Sequence, residues 1–196
     1  MSEIAELRDR LEESEAKNRL NNWVAITVAI ISVFMAVSKV KDDNIVQAML
    51  QAKSDAVDSW NEYQAKKVKH HMAELGLNQV EALQVMAPAK GLGVLAAQQK
   101  RYQDTIARYA TEEDALMKKA KGFEKQYDDL NYRDDQFDLS DAALSISLAM
   151  LAIVALTGKR RLLVLAWTLA GFGILMGIAG LAGLPIHPAA LTKLLS

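Results

Sequence analysis

Two adjacent histidines lie in a stretch that also carries aromatic, basic and acidic side chains. The stretch DSWNEYQAKKVKHH ends with His70 and His71, and Glu74 follows His70 by four residues. A histidine and a glutamate at this spacing share one face of a helix and could bind one metal ion. Two ligands are too few, and Glu81 could supply a third only if the chain folds back. His70 and His71 are adjacent, so on a helix they point about 100° apart and cannot easily bind one metal ion together. We predict no metal site and no cofactor.

No other pattern in the sequence points to catalysis. The chain has no cysteines, which excludes disulfides, thiolate metal sites and a cysteine nucleophile. The spacings of a Ser–His–Asp triad, an H-E-x-x-H zinc site and a phosphate-binding loop do not occur. The net charge of −1 offers no basic face for a nucleic acid. We therefore predict a protein that is not an enzyme and binds no nucleic acid.

The aromatic residues of the same stretch fit helix packing better than a binding platform. Trp60 and Tyr63 lie three residues apart, as residues on one helical face do. Apolar residues recur around them at steps of three and four, and form a stripe. The stripe consists of Val46, Leu50, Val57, Trp60, Gln64, Val68, Met72 and Leu75. It predicts a long helix after the first apolar block.

A second long helix is indicated by a regular heptad that begins at Leu95. Steps of four and three alternate from there to Leu130, as in a coiled coil. The heptad positions that we predict to pack, in a stalk or between copies, are Tyr102, Ile106, Tyr109, Leu116, Phe123 and Tyr127. The same register continues into the next apolar block, so we expect this helix to run into it unbroken. An aromatic edge of Trp60, Tyr63 and the tyrosines is expected to face another copy.

Glycine and proline mark the connection between these two helices. Gly76 is the first residue of either type in the chain, and it predicts a break. A short helix is expected after it, capped by Asn78 with Glu81 as the capping-box partner. The turn between the helices, or tip, is therefore predicted near residues 76–93. Arms of similar length on both sides of this tip predict an antiparallel hairpin.

Three blocks, residues 24–38, 142–157 and 162–192, carry no charge. A membrane crossing takes about 20 residues, which the third block meets and which the two shorter blocks reach when the residues at their ends are included. They predict transmembrane helices at residues 23–40, 139–157 and 162–184. A buried helix of a soluble bundle is the alternative for the two shorter blocks. The predicted fold class is all-α, with three transmembrane helices and a long extramembrane antiparallel hairpin that resembles a coiled-coil stalk.

The turn GKRR at residues 158–161 predicts the orientation of the chain. Cationic residues in short loops stay in the cytoplasm. The N-terminal segment 1–22, a coiled coil or an amphipathic helix on the membrane, is then also cytoplasmic. The hairpin, residues 41–138, and the C-terminal tail, residues 185–196, are expected in the periplasm of a bacterial inner membrane. The tail is predicted to form an interfacial helix from Pro188.

Glycines recur on one face of the third apolar block. Gly173 and Gly177 form a G-x-x-x-G pattern, and Gly180 lies on the same face. Small residues let helices in a membrane approach closely. The neighbour is either the second span of the same chain or a helix of another subunit. No ionisable residue lies near the middle of a span, which disfavours a proton or ion pump.

The residues after the first apolar block resemble a known bacterial membrane family. The stretch QAMLQAKSDAVDSWNEYQAKKVK, residues 47–69, is similar to members of domain of unknown function 4337. The matching positions are Ser54, Asp55, Trp60, Tyr63, Gln64, Ala65 and Lys66. Glu62 stands where the family usually has a second aromatic residue, so a shared aromatic pair is not supported. The resemblance implies an integral membrane protein and no catalytic residues.

These observations predict a non-enzymatic membrane protein that forms a homo-oligomeric assembly or scaffold with a long helical stalk. Its expected partners are the lipid bilayer and further copies of itself. The alternative is a channel or gating subunit whose pore is lined by the first or second transmembrane helix. Hydroxyl groups available for such a lining are those of Thr27, Ser145 and Ser147.

Overall fold

The structure is a computed structural model that describes residues 2–186. It contains three helices, α1 (Ser2–Met86), α2 (Leu92–Thr157) and α3 (Arg160–Ala182). No strand occurs within residues 2–186, and the all-α prediction is confirmed. The predicted interfacial helix from Pro188 lies outside the described residues, as does most of the tail 185–196.

Helix α1 continues through Gly76, so the predicted break and the short helix after it were wrong. Asn78 lies inside α1 and caps nothing. A Cβ atom at Gly76 would come within 2.6 Å of ring atoms of Tyr102. The glycine therefore admits the tyrosine ring against the helix backbone, and one helical glycine costs only about 1 kcal/mol. The connection between α1 and α2 is limited to residues 87–91.

Helix α2 runs without interruption from Leu92 to Thr157. This confirms the prediction that the heptad helix continues into the second apolar block. Helix α2 ends where Gly158 adopts a left-handed backbone with φ 69°. The N–H of Gly158 donates to the carbonyl of Val154 at 2.8 Å. Glycine is favoured in this conformation because it has no Cβ atom to clash.

The chain divides into two compact units, and α1 and α2 contribute to both. Unit 1 comprises Met1–Gln47 and Asp129–Ser196, and unit 2 comprises Ala48–Asp128. In unit 1, apolar residues from all three helices form a buried core. Its members are Leu20, Val24, Ile31, Leu144, Leu151, Val154, Leu163, Ala166 and Ala170. Trp23 and Trp167 meet edge to face, with ring centroids 6.2 Å apart.

The C-terminal end of α3 is held by side chains of α2. Gly183 ends the helix with φ 66°, and its N–H donates to the carbonyl of Ala179. Arg133 donates from Nε and Nη2 to the carbonyl of Gly180, at 3.2 and 3.0 Å. Gln136 Nε2 donates to the carbonyls of Leu184 and Ile186, at 2.8 and 2.6 Å. The bonds from Arg133 satisfy a carbonyl that the helix end leaves without a partner, and those from Gln136 hold the segment that follows the helix.

Each of these helices is apolar and long enough to cross a membrane, judged by length and composition. In α1 and α2, only one part of the helix is apolar enough to cross a membrane. Helix α3, by contrast, is little longer than a single membrane span. The predicted spans thus fall on different helices.

Candidate functional site

Polar side chains of α1 and α2 pair within unit 2. From Trp60 to Gln84 on α1, the partners on α2 run in the opposite direction overall, from Glu124 back to Gln99. The pairs are Trp60 with Glu124 (2.8 Å), Lys66 with Glu112, His70 with Glu113 (2.7 Å) and Gln84 with Gln99 (3.0 Å). The hydrogen bond from Lys66 lowers the pKa of Glu112 below its usual range.

The aromatic positions singled out from the sequence lie along this pairing. Trp60 and Tyr63 are partly buried, and their rings meet edge to face at 5.5 Å. The ammonium of Lys66 lies 5.4 Å from the ring centroid of Tyr109. The other predicted heptad positions are also partly buried: Tyr102, Ile106, Leu116, Phe123 and Tyr127.

Most of the large apolar residues that α1 carries in unit 2 are not covered by the chain. The buried positions of α1 in unit 2 are mostly small residues, namely Met49, Ala52, Ala56, Ser59, Ala73 and Val80. The larger apolar residues stay exposed. We call Leu50, Val57, Val68, Met72, Leu75 and Leu83 the α1 stripe; each is more than half exposed. At Gly76, where α1 has no side chain, the ring of Tyr102 on α2 lies against the helix, and the bulkier face of α1 remains outside.

The α1 stripe is not interrupted by any ionisable residue. At about 100° per residue, its members fall within an arc of roughly 80°. The other residues on this arc between Leu50 and Leu83 are Ser54, Asn61, Ala65 and Gln79. All of them are exposed and none is ionisable. An apolar face of this kind on a helix is unusual for a surface that meets only water.

The two histidines do not form the metal site considered above. His70 Nδ1 lies 2.7 Å from Glu113 Oε1, and its Nε2 lies 3.7 Å from Glu74 Oε1. His71 bonds Glu74 at 2.8 Å, which lowers the pKa of that glutamate. Glu81 accepts a bond from Gln99 instead. Within residues 2–186, no group of three or more His, Asp or Glu side chains could hold a metal ion.

The glycine face of α3 is occupied within the chain. A Cβ atom would lie 2.7 Å from Leu144 at Gly173, 2.6 Å from Phe34 at Gly177 and 2.9 Å from Phe137 at Gly180. The face therefore packs against α1 and α2 of the same chain. The sequence left open whether this face contacts its own chain or another subunit. In the structure it contacts its own chain.

Two of the hydroxyl groups considered for a pore lining are engaged. Ser147 is fully buried, and its Oγ donates to the carbonyl of Ala166 at 2.8 Å. Thr27 donates to the carbonyl of Trp23 and accepts a bond from Trp167 Nε1 at 3.1 Å. Ser145 is exposed. The exposed face of α1 in this region consists of apolar residues such as Ile30.

Buried polar residues in unit 1 were missed by the sequence analysis. Ser38, Asp42, Gln136 and Ser140 are each less than 8 % exposed. The sequence did contain a sign of these residues, because acidic residues follow the first apolar block and precede the second. Acids just beyond an apolar block are common, and only the packing of α1 against α2 shows that Asp42 is buried.

The helices define the class of this protein: an all-α chain with three helices apolar and long enough to cross a membrane. The family model described as "Domain of unknown function (DUF4337)" matches residues 20–183, and the chain belongs to this family. This match confirms the resemblance of residues 47–69. Comparison with curated proteins and with solved structures found no match.

Proposed function

We propose that this protein is a non-enzymatic integral membrane protein that assembles with copies of itself through an antiparallel stalk. The paired side chains of α1 and α2, which run in opposite directions overall, support the antiparallel hairpin in unit 2. The α1 stripe supports the assembly and is the observation that carries the proposal. The stalk then serves as a scaffold that holds the membrane helices of several copies together.

The size of the α1 stripe agrees with a subunit interface. From Leu50 to Leu83 it extends about 50 Å at 1.5 Å per residue, and a helix is roughly 10 Å wide. The face is therefore on the order of 500 Å² per copy. Two copies would bury about 1,000 Å², the area at which specific interfaces begin.

A second copy is the occupant that best fits the α1 stripe. The stripe carries no charge. Two copies of it can therefore pack together without repulsion between like charges and without burying a charge that lacks a partner. Symmetric association of identical faces is the commonest form of assembly. A face selected for a different protein would commonly show charges that set orientation and exclude wrong partners.

The orientation proposed for the chain follows the positive-inside rule. The turn with Lys159, Arg160 and Arg161 and the N-terminal segment face the cytoplasm of a bacterial inner membrane. Unit 2 then faces the periplasm. Support comes from the charge of the turn and from the ends of α2 and α3 beside it.

The test compares one substitution inside the α1 stripe with the same substitution outside it. Val68 lies on the stripe and is 58 % exposed, whereas Val94 lies on α2 and is 71 % exposed. The full chain, purified in detergent, is examined by native mass spectrometry and particle imaging. We expect an oligomer for the wild type and for Val94→Glu, and dissociation for Val68→Glu, because the new charge would be buried at the interface.

The outcomes separate the possible occupants. A monomeric wild type, or an oligomer unaffected by Val68→Glu, would refute assembly through the stripe. A wild type that is monomeric but binds one other protein through Val68 would assign the face to that protein. Particle images with an open axial path would favour the alternative, a channel.

A further inference from the structure

The first part of α1, residues 2–22, carries an exposed apolar face. We call Ile4, Leu7 and Leu11 the N-terminal seam; they are 76, 57 and 61 % exposed. They follow one another at steps of three and four, as the a and d positions of a heptad do. Among the described residues, no side chain before Leu20 is buried. The seam is therefore available to lipid, to another protein or to a second copy of the chain.

The course of α1 argues against a segment that lies on the membrane surface. The helix is continuous from Ser2 through the first apolar block. Sharp kinks in helices occur at proline, at glycine or at similar interruptions, and the sequence has neither residue before Gly76. If residues 23–40 cross the membrane as proposed, residues 2–22 therefore project from it along the same axis and do not lie in its plane.

The charge of this segment leads to the same conclusion. Residues 1–22 carry six acidic and four basic side chains. Helices that lie in the membrane interface are rich in lysine and arginine on their polar face, because anionic headgroups attract these residues. A segment with more acids than bases is repelled by such a surface. Lipid is therefore a poor partner for the N-terminal seam.

The heptad register of the seam continues with polar residues. With Ile4 and Leu7 as a and d, Leu11 takes the second a position. Ser14 and Asn18 take the next d and a positions, and both are exposed. A polar asparagine at a single a position specifies the register of a coiled coil, because it can bond to the same residue of the partner helix. The pattern favours a partner with the same residues in the same register.

Charged residues beside the seam complement each other between two parallel copies. In a parallel coiled coil, a g position of one helix lies beside the e position five residues later on its partner. Arg10 occupies a g position and Glu15 the following e position, so each copy brings Arg10 to the other's Glu15. Lys17 at the next g position meets Asn22, which is uncharged. Identical chains insert into a membrane in the same direction, so their N-terminal segments are parallel.

An ion pair within the helix leaves room for this contact. Glu15 lies 3.7 Å from Arg19 of the same chain, and both side chains are more than 70 % exposed. Exposed pairs of this kind contribute little to stability. A carboxylate also accepts several hydrogen bonds at once, so Glu15 can bind an arginine of a second copy as well.

We propose that the N-terminal segment of α1 pairs with the same segment of a second copy, as a short parallel coiled coil through Ile4, Leu7 and Leu11. The pairing rests on the proposed function, because three apolar positions are fewer than an independent coiled coil uses. Copies that are held together elsewhere meet at a high effective concentration, at which a weak contact is sufficient. The N-terminal seam and the α1 stripe are then separate interfaces, before and after the first apolar block of the chain.

The test is disulfide crosslinking of the full chain in a lipid bilayer. The chain has no cysteine, so one introduced cysteine reports on one position. Leu11→Cys lies on the seam, and Asp9→Cys lies at the f position on the opposite side of the helix; both positions are exposed. Under mild oxidation we expect disulfide-linked dimers from Leu11→Cys and little or none from Asp9→Cys, because a disulfide requires Cα atoms about 4.4–6.8 Å apart. Equal crosslinking of the two variants, or none in Leu11→Cys, would overturn the proposal.

Charge reversal tests the parallel register. In the chain with Leu11→Cys, the further change Arg10→Glu places a like charge beside Glu15 of the second copy. We expect the crosslinked fraction to fall by about 2-fold or more. Adding Glu15→Arg restores opposite charges and should restore the crosslinking. A double reversal that crosslinks as poorly as Arg10→Glu alone would refute the register.

Native mass spectrometry of Val68→Glu separates the N-terminal seam from the α1 stripe. An oligomer that dissociates with Val68→Glu, but shows no crosslinking in Leu11→Cys, would overturn the seam and leave the proposed assembly intact. A monomeric wild type without crosslinking would overturn both. Quenching of a fluorophore on Leu11→Cys by a lipid-soluble quencher would assign the seam to the membrane surface and refute the pairing.

Discussion

Replacing Gly177 by alanine should destabilise unit 1, because there is no room for a methyl group at this position. A Cβ atom there would lie 2.6 Å from Phe34 Cε1 and 2.8 Å from Ser140 Oγ. Carbon atoms in good contact lie about 3.5–4.0 Å apart. The phenyl ring would therefore have to move by roughly 1 Å. Overpacking of this kind costs about 1–3 kcal/mol.

Helix propensity opposes this cost and requires a matched control. Alanine stabilises a helix relative to glycine by up to about 1 kcal/mol. Gly171 lies on the same helix, and no atom within 4 Å would meet a Cβ atom there. Gly171→Ala therefore reports the propensity alone. We expect Gly177→Ala to be less stable than Gly171→Ala by about 1–3 kcal/mol, a difference from which the propensity has been removed.

The assay is equilibrium unfolding of the full chain in mixed micelles, followed by the fluorescence of the tryptophans. Trp23 and Trp167 report on unit 1 because their rings are in contact there. Two variants of equal stability would show that α3 does not approach α1 and α2 as closely as described. The reasoning about the glycine face would then be refuted.

The remaining predictions concern unit 2 and the orientation of the chain. Gly76→Ala should lower the thermal stability, because its Cβ would lie 2.6 Å from the ring of Tyr102, whereas Gly122→Ala, which meets nothing within 4 Å, should not; equal melting temperatures would contradict this. Trp60→Phe removes the bond to Glu124 and should cost about 0.5–1.5 kcal/mol by denaturant titration, and no loss would mean that the bond is unimportant. A cysteine at the exposed Ala89 should react with an impermeant thiol reagent in cells with a permeable outer membrane; labelling only after the inner membrane is broken would reverse the topology.

The sequence by itself determined that the chain is built from long helices, although not that α1 continues past Gly76, and which segments could cross a membrane. The heptad after Leu95 and the apolar block that follows it predicted one continuous helix, and α2 runs from Leu92 to Thr157. These properties depend on local spacing and on the length of uncharged stretches. Both can be recognised without knowing what a helix packs against.

The tertiary structure decided which face of each helix is covered. On α1, the small residues Ala52, Ala56 and Ser59 are buried and the larger Leu50 and Val57 are exposed. Hydrophobicity alone predicts the opposite, because larger apolar side chains gain more from burial. At Gly76 the ring of Tyr102 occupies the space that a side chain would take, and such a contact between distant segments is visible only in the tertiary structure.

The contacts of single residues were also outside the reach of the sequence. Gly76 predicted a break, yet the ring of Tyr102 packs against it and α1 continues. Gly177 indicated close approach without showing that Phe34 is the neighbour. Asp42 became notable only when its carboxylate was found buried between the helices of unit 1, with Oδ1 lacking a hydrogen-bond partner among the described residues. Such contacts depend on how distant segments meet in space, and local residue patterns do not encode that directly.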